Sequence, residues 1–148
     1  MTTVDNWMTR NPITIDTDTS VMEAMHLMTE HNIRRLPVMQ KGKIAGILTE
    51  EMVKAFSPSP ATSLDAYELH YILSKTPVSK AMNPKPCRVA LGTPLTEAAE
   101  LLHDLKLNGV LVVDEKDNLV GILTITNALE ALIAICKDPG HFCSIVAP

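Results

Sequence analysis

The chain has 148 residues, of which 46% are hydrophobic and only 3% aromatic, so it suits one compact domain or two small halves around an aliphatic core. Its formal net charge of −4 disfavours nucleic acid as a partner, because non-specific binding requires a basic surface. The three cysteines do not form a disulfide framework. The chain shows no signal-peptide pattern and no apolar stretch long enough to span a bilayer, so we expect a cytoplasmic protein with no membrane partner.

The first predicted elements are a short extended segment and an amphipathic helix. The segment follows a proline in the sequence PITI, residues 12–15. Apolar residues then recur at helical spacing over residues 21–28, which predicts a helix with a broad buried face. Thr19 or Ser20 is positioned to cap this helix, because either hydroxyl can accept a bond from a backbone N–H of the first turn.

A hairpin is predicted after this helix. The strands RRLPVM and KIAGIL flank the turn KGK, where Gly42 suits the reversal of direction. Pro37 lies inside the first of these strands and indicates an edge position, because proline cannot donate to a ladder. Gly46 lies inside the second strand, which indicates a bulge or close packing, or else the close approach of a ligand to the backbone. A second helix is predicted to begin near Thr49.

The next segment, residues 57–77, begins with SPSP, which cannot continue a helix. A helix is predicted from Leu64 to Lys75, capped by Thr62 or Ser63 and ended before Pro77. We expect this segment to be ordered and packed, because a flexible linker would not carry so many apolar side chains. These are Leu64, Tyr67, Leu69, Tyr71, Ile72 and Leu73.

The rest of the chain repeats the same order of elements. The sequence GILT occurs at residues 46–49 and 121–124, and equivalent residues are separated by 74 positions, as Met8 and Met82 are, or by 75 after the hairpin turns. This constant register indicates an internal duplication of a unit of about 50 residues. The second copy predicts an extended segment PCRV, a helix capped by Thr93, the strands GVLVVD and NLVGIL, and a helix from near Thr124.

The repeated motifs resemble those of one family. WMTRNPITI, IRRLPVM and GILTEEM in the first copy, and AMNPKPCRV and GVLVVDEKDNLVGILTITN in the second, are similar to a tandem pair of cystathionine-beta-synthase-type (CBS) domains, or Bateman module. The segment between the copies resembles that of acetoin-utilisation AcuB-type CBS proteins. The resemblance implies an α/β (α+β) fold of two β-α-β-β-α repeats with pseudo-twofold symmetry. The expected divisions are repeat 1 over residues 1–56, an ordered helical linker over 57–77, repeat 2 over 78–133 and a C-terminal tail over 134–148.

The resemblance also implies a regulatory function. Such modules bind adenosine-containing nucleotides, expected here to be AMP, ADP or ATP, in the cleft between the repeats, and they require no cofactor. A homodimer formed through the CBS repeats is expected to transmit the signal by a conformational change, with an enzyme or transporter as the regulated partner. Catalysis is not expected, because the five histidines show no arrangement with a nucleophile or paired carboxylates.

The family's nucleotide motif, Gly-hydrophobic-x-Thr/Ser-x-x-Asp, implies two unequal sites. Thr49 and Thr124 keep the hydroxyl that meets phosphate, but Met52 and Asn127 occupy the positions of the aspartate that binds the ribose. Met52 offers no useful acceptor, whereas Asn127 keeps an oxygen and Thr126 adds a hydroxyl. The second site is therefore expected to bind better than the first. The alternative is that both threonines only cap helices.

Further site residues follow from the family layout. Backbone atoms after the first strand of each repeat are expected to reach the base, apolar side chains to wall it, and arginines to bind phosphate. With the motif residues Gly121 and Ile122, the expected set comprises Ile13, Thr14, Arg34, Arg35, Leu36, Pro37, Val38, Cys87, Arg88, Val89, Val110, Leu111 and Val112. For Arg34 and Arg35 the alternative is a solvated strand start.

Two other functions compete with nucleotide sensing. A CBS pair without nucleotide would serve as a dimeric scaffold that binds a partner, a reading that Met52 and Asn127 favour. A metal-dependent function would use Cys136, His141 and Cys143, which suit zinc in type but not in spacing.

The dimer interface is expected on the first helix. Its methionines, Met22, Met25 and Met28, give it more apolar width than one core requires. Contiguous apolar surface of this kind usually marks an interface, and a symmetric dimer is the commonest closed assembly.

Overall fold

The computed structural model describes residues 2–56 and 65–137. The chain divides into two compact units. The first unit is Pro12–Pro86, and the second unit combines Met1–Asn11 with Cys87–Pro148. Helices and strands alternate in both units, so the predicted mixed α/β class is confirmed.

The elements follow the predicted order of strand, helix, two strands and helix in each repeat. The strands are β1 (Thr9–Arg10), β2 (Ile15–Asp16), β3 (Arg35–Gln40), β4 (Lys43–Thr49), β5 (Arg88–Ala90), β6 (Gly109–Val113) and β7 (Leu119–Thr124). The α-helices are α1 (Val21–Glu30), α2 (Glu50–Phe56), α3 (Ala66–Lys75), α4 (Leu95–Asp104) and α5 (Ile125–Lys137). Single 3-10 turns lie at Val4–Asn6 and Val78–Lys80.

Each unit contains a sheet in which a hairpin pairs with a parallel strand. In the first unit the order is β2-β3-β4, and in the second it is β1-β7-β6-β5. The pairs β2–β3 and β5–β6 are parallel, and the hairpins β3–β4 and β6–β7 are antiparallel. The β3–β4 turn places Lys41 at φ 51° and Gly42 at φ 77°, as expected for a two-residue hairpin turn. The third residue of the predicted turn KGK, Lys43, already belongs to β4.

The first segment of each repeat packs with the last strand of the other repeat. Strand β1 pairs antiparallel with β7 of the second unit. In the first unit, Asn83 exchanges two backbone hydrogen bonds with Ile47 of β4, at 3.0 and 2.9 Å. The compact units therefore begin and end at positions that differ from the sequence repeats.

Gly46 and Gly121 permit these close approaches. A Cβ atom on Gly46 would lie 2.5 Å from the carbonyl oxygen of Asn83, and one on Gly121 would lie 2.6 Å from Sδ of Met8 and 2.9 Å from the carbonyl oxygen of Thr9. The register of each hairpin also shifts beside its glycine, which is typical of a β-bulge. Packing within each unit therefore explains why both positions are glycine.

The predicted edge position of Pro37 is wrong. Pro37 lies in β3, the middle strand of its sheet, opposite Ile47. It is tolerated there because β2 pairs with β3 only from Val38 onward. The equivalent residue of the second unit, Leu111, donates its N–H to the carbonyl of Cys87 at 3.1 Å. Proline cannot make this bond, and β2 is one residue shorter than β5.

Each sheet packs one face against the helices of its own unit. The core of the first unit consists of Ile15, Val21, Ala24, Met28, Leu36, Val38, Leu48, Val53, Leu73 and Val78. The core of the second unit consists of Val4, Met8, Leu95, Ala98, Leu102, Val110, Val112, Leu123 and Ala131. The apolar faces predicted for α1 and α4 are thus buried in their own units.

One of the two predicted helix caps is correct. Ser20 caps α1, because its hydroxyl accepts the N–H of Glu23 at 3.1 Å. Thr93 does not cap α4. The residue at that position is Pro94, and the hydroxyl of Thr93 instead donates to the carbonyl of Ala90 at 2.7 Å.

The predicted linker helix is present as α3. Its cap is Asp65, whose carboxylate accepts the N–H of Glu68 at 2.8 Å. The predicted caps and the predicted first residue of this helix lie outside the described residues; these are Thr62, Ser63 and Leu64.

The expectation that the linker helix is packed holds for one face only. Leu73 is buried and Leu69 packs against the core of the first unit. Tyr67 and Tyr71 are 88% and 66% exposed. The expectation was wrong for these aromatic residues. They are four positions apart and share one face of α3, and the face that contacts the core is the one that carries Leu69 and Leu73.

Candidate functional site

The second corner, residues 124–127, joins β7 to α5 and is held by a reciprocal hydrogen-bond pair. The backbone N–H of Thr124 donates to Oδ1 of Asn127 at 2.8 Å, and the Thr124 hydroxyl lies 3.1 Å from the same oxygen. The N–H of Asn127 in turn donates to the Thr124 hydroxyl at 3.4 Å. This is the arrangement of a capping box, and it holds Asn127 nearly buried, with 9% exposure.

These bonds determine what the corner can offer a ligand. Oδ1 of Asn127 already accepts two bonds from Thr124, which matches the two acceptor positions of an amide oxygen. The side-chain NH2 group of Asn127 supplies two donors. A ligand oxygen that accepts a hydrogen bond therefore suits Asn127 better than a ligand hydroxyl that must donate one.

The backbone amides at the start of α5 are partly used as well. The N–H of Ile125 donates to the carbonyl of Asn108 at 3.1 Å, and that of Asn127 donates to Thr124. Thr126 lies between them and is exposed. The groups left to bind an anion at this helix start are thus chiefly the backbone N–H and the hydroxyl of Thr126.

The first corner, residues 49–52, joins β4 to α2 and lacks the reciprocal pair. The hydroxyl of Thr49 accepts the N–H of Met52 at 3.2 Å, so this threonine acts as a helix cap. Met52 packs against the core of the first unit. Glu50 forms an ion pair with Lys54 at 2.9 Å, and this bond lowers the pKa of the Glu50 carboxyl.

Arg34 and Arg35 lie beside the first corner. Arg35 pairs with Thr49 across the β3–β4 ladder. Burial lowers the pKa of Arg35, an effect that the carboxylate of Glu51 opposes and the charge of Arg34 reinforces. Arg34 is exposed, and its carbonyl accepts the N–H of Glu50 at 2.9 Å.

The strand registers divide the expected apolar residues between two faces. In the second unit, Arg88 lies opposite Leu111, which lies opposite Ile122. Alternate residues of a strand point to opposite faces, so these three share the face that is turned away from Val110 and Leu123 of the unit's core. The first unit has the same arrangement, with Arg35, Pro37 and Thr49 on the face away from Leu36, Val38 and Leu48.

Several expected site residues direct their side chains into the cores instead. Leu36, Val38, Val110 and Val112 belong to the buried cores, and Ile13, Cys87 and Val89 pack against them. Their side chains are therefore committed to packing, which leaves their backbone atoms for a ligand. Thr14 is exposed ahead of β2.

Arg88 has a partner that the sequence did not reveal. Its Nη1 atom lies 2.6 Å from Oδ2 of Asp117 in the β6–β7 turn. Nothing in a separation of 29 positions indicates an ion pair, because the pairing depends on the parallel register of β5 and β6.

A metal site is not supported within residues 2–56 and 65–137. No group of three or more histidine, cysteine, aspartate or glutamate residues is arranged there to hold an ion. His141 and Cys143 of the proposed zinc set lie outside these residues. Over the same residues, no helix has both the length and the apolar character needed to cross a membrane.

Known proteins share both the sequence and the fold. A CBS domain-containing protein of Dictyostelium discoideum is 29% identical over 135 residues, which cover 90% of this chain and 93% of that protein. The crystal structure of CBSX2 in complex with AMP matches with a TM-score of 0.76 and 31% identity, covering 93% of this chain and 100% of that one. AcuB from Vibrio cholerae matches with a TM-score of 0.76 and 28% identity, covering 93% and 94%.

The family assignment rests on both repeats. The sequence profile of the CBS domain matches residues 4–57 and again residues 78–134. These two ranges contain both corners and both hairpins. The chain therefore belongs to the CBS domain family, as a tandem pair of CBS domains.

Proposed function

We propose that this CBS pair is a regulatory module that binds an adenosine-containing nucleotide of the AMP, ADP or ATP class at the second corner. The observation that carries the proposal is the hydrogen-bonded pair of half-buried Thr124 and buried Asn127. Their hydroxyl and amide NH2 group stand where the family's nucleotide motif has its hydroxyl and its carboxylate. The AMP complex of CBSX2, 31% identical over 93% of this chain, supports the ligand class.

The chemistry of the corner fits the parts of a nucleotide. Ile122 and Leu111 are apolar, lie opposite each other across β6 and β7 and are not members of the second unit's core, which suits the flat face of a base. The NH2 group of Asn127 suits a ribose oxygen, and the amide and hydroxyl of Thr126 suit phosphate.

The first corner is a poorer candidate. Met52 is turned into the core and its thioether is a weak acceptor. Glu50 and Glu51 stand in the first turn of α2, where their negative charge opposes a polyphosphate. We therefore expect one nucleotide per chain.

Calorimetric titration with AMP, ADP and ATP tests the proposal. Asn127→Ala should weaken affinity by about 1 kcal/mol, because one neutral hydrogen bond is lost. Met52→Ala should leave affinity unchanged, although it will lower stability through lost packing. Equal effects of the two substitutions, with both variants folded at the titration temperature, would contradict the ranking of the corners.

A nucleotide-free scaffold is the second candidate, and one observation favours it. The acceptor atom of Asn127 is already satisfied by Thr124, so the corner is stable without a ligand. If no adenine nucleotide binds at millimolar concentration while the protein still self-associates, the scaffold is the better description.

The signal would pass through a dimer, but the surface differs from the one expected. Met28 of α1 is buried in the core of the first unit, and Met22 and Met25 pack against that core. Besides Tyr67 and Tyr71 of α3, four apolar side chains at helical spacing stay exposed on α5. They are Ile125, Leu129, Leu132 and Ile133, with exposures between 41% and 55%. We propose that α5 forms the homodimer contact and that a regulated enzyme or transporter receives the signal.

A further inference from the structure

The ion pair between Arg88 and Asp117 is held by a built turn. Asp117 has a φ of 63°, a left-handed conformation that aspartate and asparagine adopt more readily than most residues. Its N–H donates to the carbonyl of Asp114 at 3.0 Å. The carboxylate of Asp114 accepts the N–H groups of Lys116 and Asn118, each at 2.9 Å. The turn therefore holds the backbone of Asp117, from which its carboxylate reaches Arg88.

This pair directs the guanidinium away from the second corner. Gly109 pairs with Thr124 at the corner end of the β6–β7 hairpin, and Val113 pairs with Leu119 at the turn end. Arg88 lies beside Leu111, between the two ends. The bond to Asp117 holds its guanidinium toward the turn, although its side chain projects from the same face as Ile122, two residues before Thr124.

The pair is weak enough to be exchanged. The side chains of Arg88 and Asp117 are 32% and 61% exposed. Exposed ion pairs change an equilibrium by only about two- to fivefold. A phosphate can replace the carboxylate and form hydrogen bonds of equally good geometry with Arg88, because the guanidinium fork matches its oxygens.

We propose that Asp117 competes with the ligand's phosphate for Arg88 and so limits the preference of the second corner for phosphorylated over unphosphorylated adenosine. The inference rests on the proposed nucleotide function. When a nucleotide is bound, the guanidinium exchanges the carboxylate of Asp117 for a phosphate oxygen. Adenosine has no group that can make this exchange.

Calorimetric titrations of adenosine and AMP at low ionic strength, where such attractions are least screened, test the inference. Asp117→Asn keeps a side chain that tolerates the left-handed turn and removes the competing charge. It should raise the ratio of AMP to adenosine affinity by about two- to fivefold. Arg88→Gln should lower that ratio. Glu115→Gln, in the same turn, makes the same change in net charge and should leave the ratio unaltered.

The outcomes separate this inference from the proposed function. If Asp117→Asn binds adenosine but shows the wild-type ratio, the competition is refuted and the nucleotide function stands. If Glu115→Gln raises the ratio as much as Asp117→Asn does, the effect is one of overall charge and the competition is again refuted. If the wild-type protein and all variants bind neither ligand, both proposals fail.

Discussion

At the residue scale, the side-chain oxygen of Asn127 can bond to Thr124 or to a ligand, but not to both. An amide oxygen that closes a capping box with Thr124 is not available to a ribose hydroxyl. A carboxylate at the same position has a second oxygen. It can keep the bonds to Thr124 and still accept from a ligand, with a strength that charge roughly doubles.

Asn127→Asp should therefore strengthen binding of adenosine. We expect a gain of about 1 kcal/mol, or roughly fivefold, from replacing a neutral hydrogen bond with a charged one. The added charge lies in the first turn of α5, so stability should also rise slightly, by about 0.3–1 kcal/mol. Calorimetry with adenosine measures the first effect and urea unfolding the second. With 2′-deoxyadenosine, which lacks half of the ribose diol, the affinity gain should shrink; an equal gain would show that the new carboxylate does not contact the diol.

The sequence identified the residues of this corner but not their bonds. The repeat register placed Thr124 and Asn127 together because they are three positions apart at a helix start, where local geometry is nearly fixed. The partner of Arg88 is set by the alignment of two parallel strands, which no local pattern encodes. For the same reason, the sequence did not show that Val38 and Val112 face the cores.

At the scale of elements, the packing of each hairpin depends on a glycine, which lets a segment from outside the hairpin lie against it. The repeated sequence GILT identified Gly46 and Gly121 as equivalent positions. It did not identify the segments that contact them, which come from outside the hairpins. Asn83 crosses Gly46, and Met8 with Thr9 crosses Gly121. A pattern of alternating residues predicts strands, but it does not reveal which segment lies beside them.

Gly46→Ala should destabilise the protein more than Gly121→Ala. The Cβ of the first variant meets a backbone oxygen at 2.5 Å, whereas the nearest atom to the second is the flexible Met8 side chain at 2.6 Å, with the nearest backbone oxygen at 2.9 Å. Overpacking of this kind costs about 1–3 kcal/mol, and we expect Gly46→Ala near the upper end. Urea unfolding of both variants measures the difference.

Met8→Ala provides the control for this comparison. It removes the side chain that crowds Gly121 and should recover part of the loss in a Gly121→Ala background. It should recover nothing in a Gly46→Ala background, because the side chain that crowds Gly46 is that of Met82. Equal recovery in both backgrounds would contradict the steric account.

At the scale of the whole molecule, we propose a homodimer contact on α5 instead of the expected contact on α1. Methionine content pointed to α1, but α1 is covered by its own unit, including contacts with α3. The sequence could not separate a wide core face from an interface face. Four of the five large apolar residues that α5 exposes, all except Ile135, lie on adjacent turns at helical spacing, while the buried face of the helix carries Asn127 and Ala131.

Leu132→Glu should convert the dimer to monomers. A carboxylate at the centre of an apolar contact must either lose its hydration or break the contact, and an unpaired buried charge costs several kcal/mol. Sedimentation velocity at micromolar concentration should show the wild-type protein at twice the chain mass of 16.2 kDa and the variant at that mass.

Ala134→Glu adds the same charge to an exposed position of α5 outside the four-residue apolar set and should remain dimeric. A dimeric Leu132→Glu variant would place the contact elsewhere. A wild-type protein that is already monomeric would contradict the proposed dimer. If the variant is monomeric but still binds AMP with wild-type affinity, binding belongs to the single chain and the dimer serves only to transmit it.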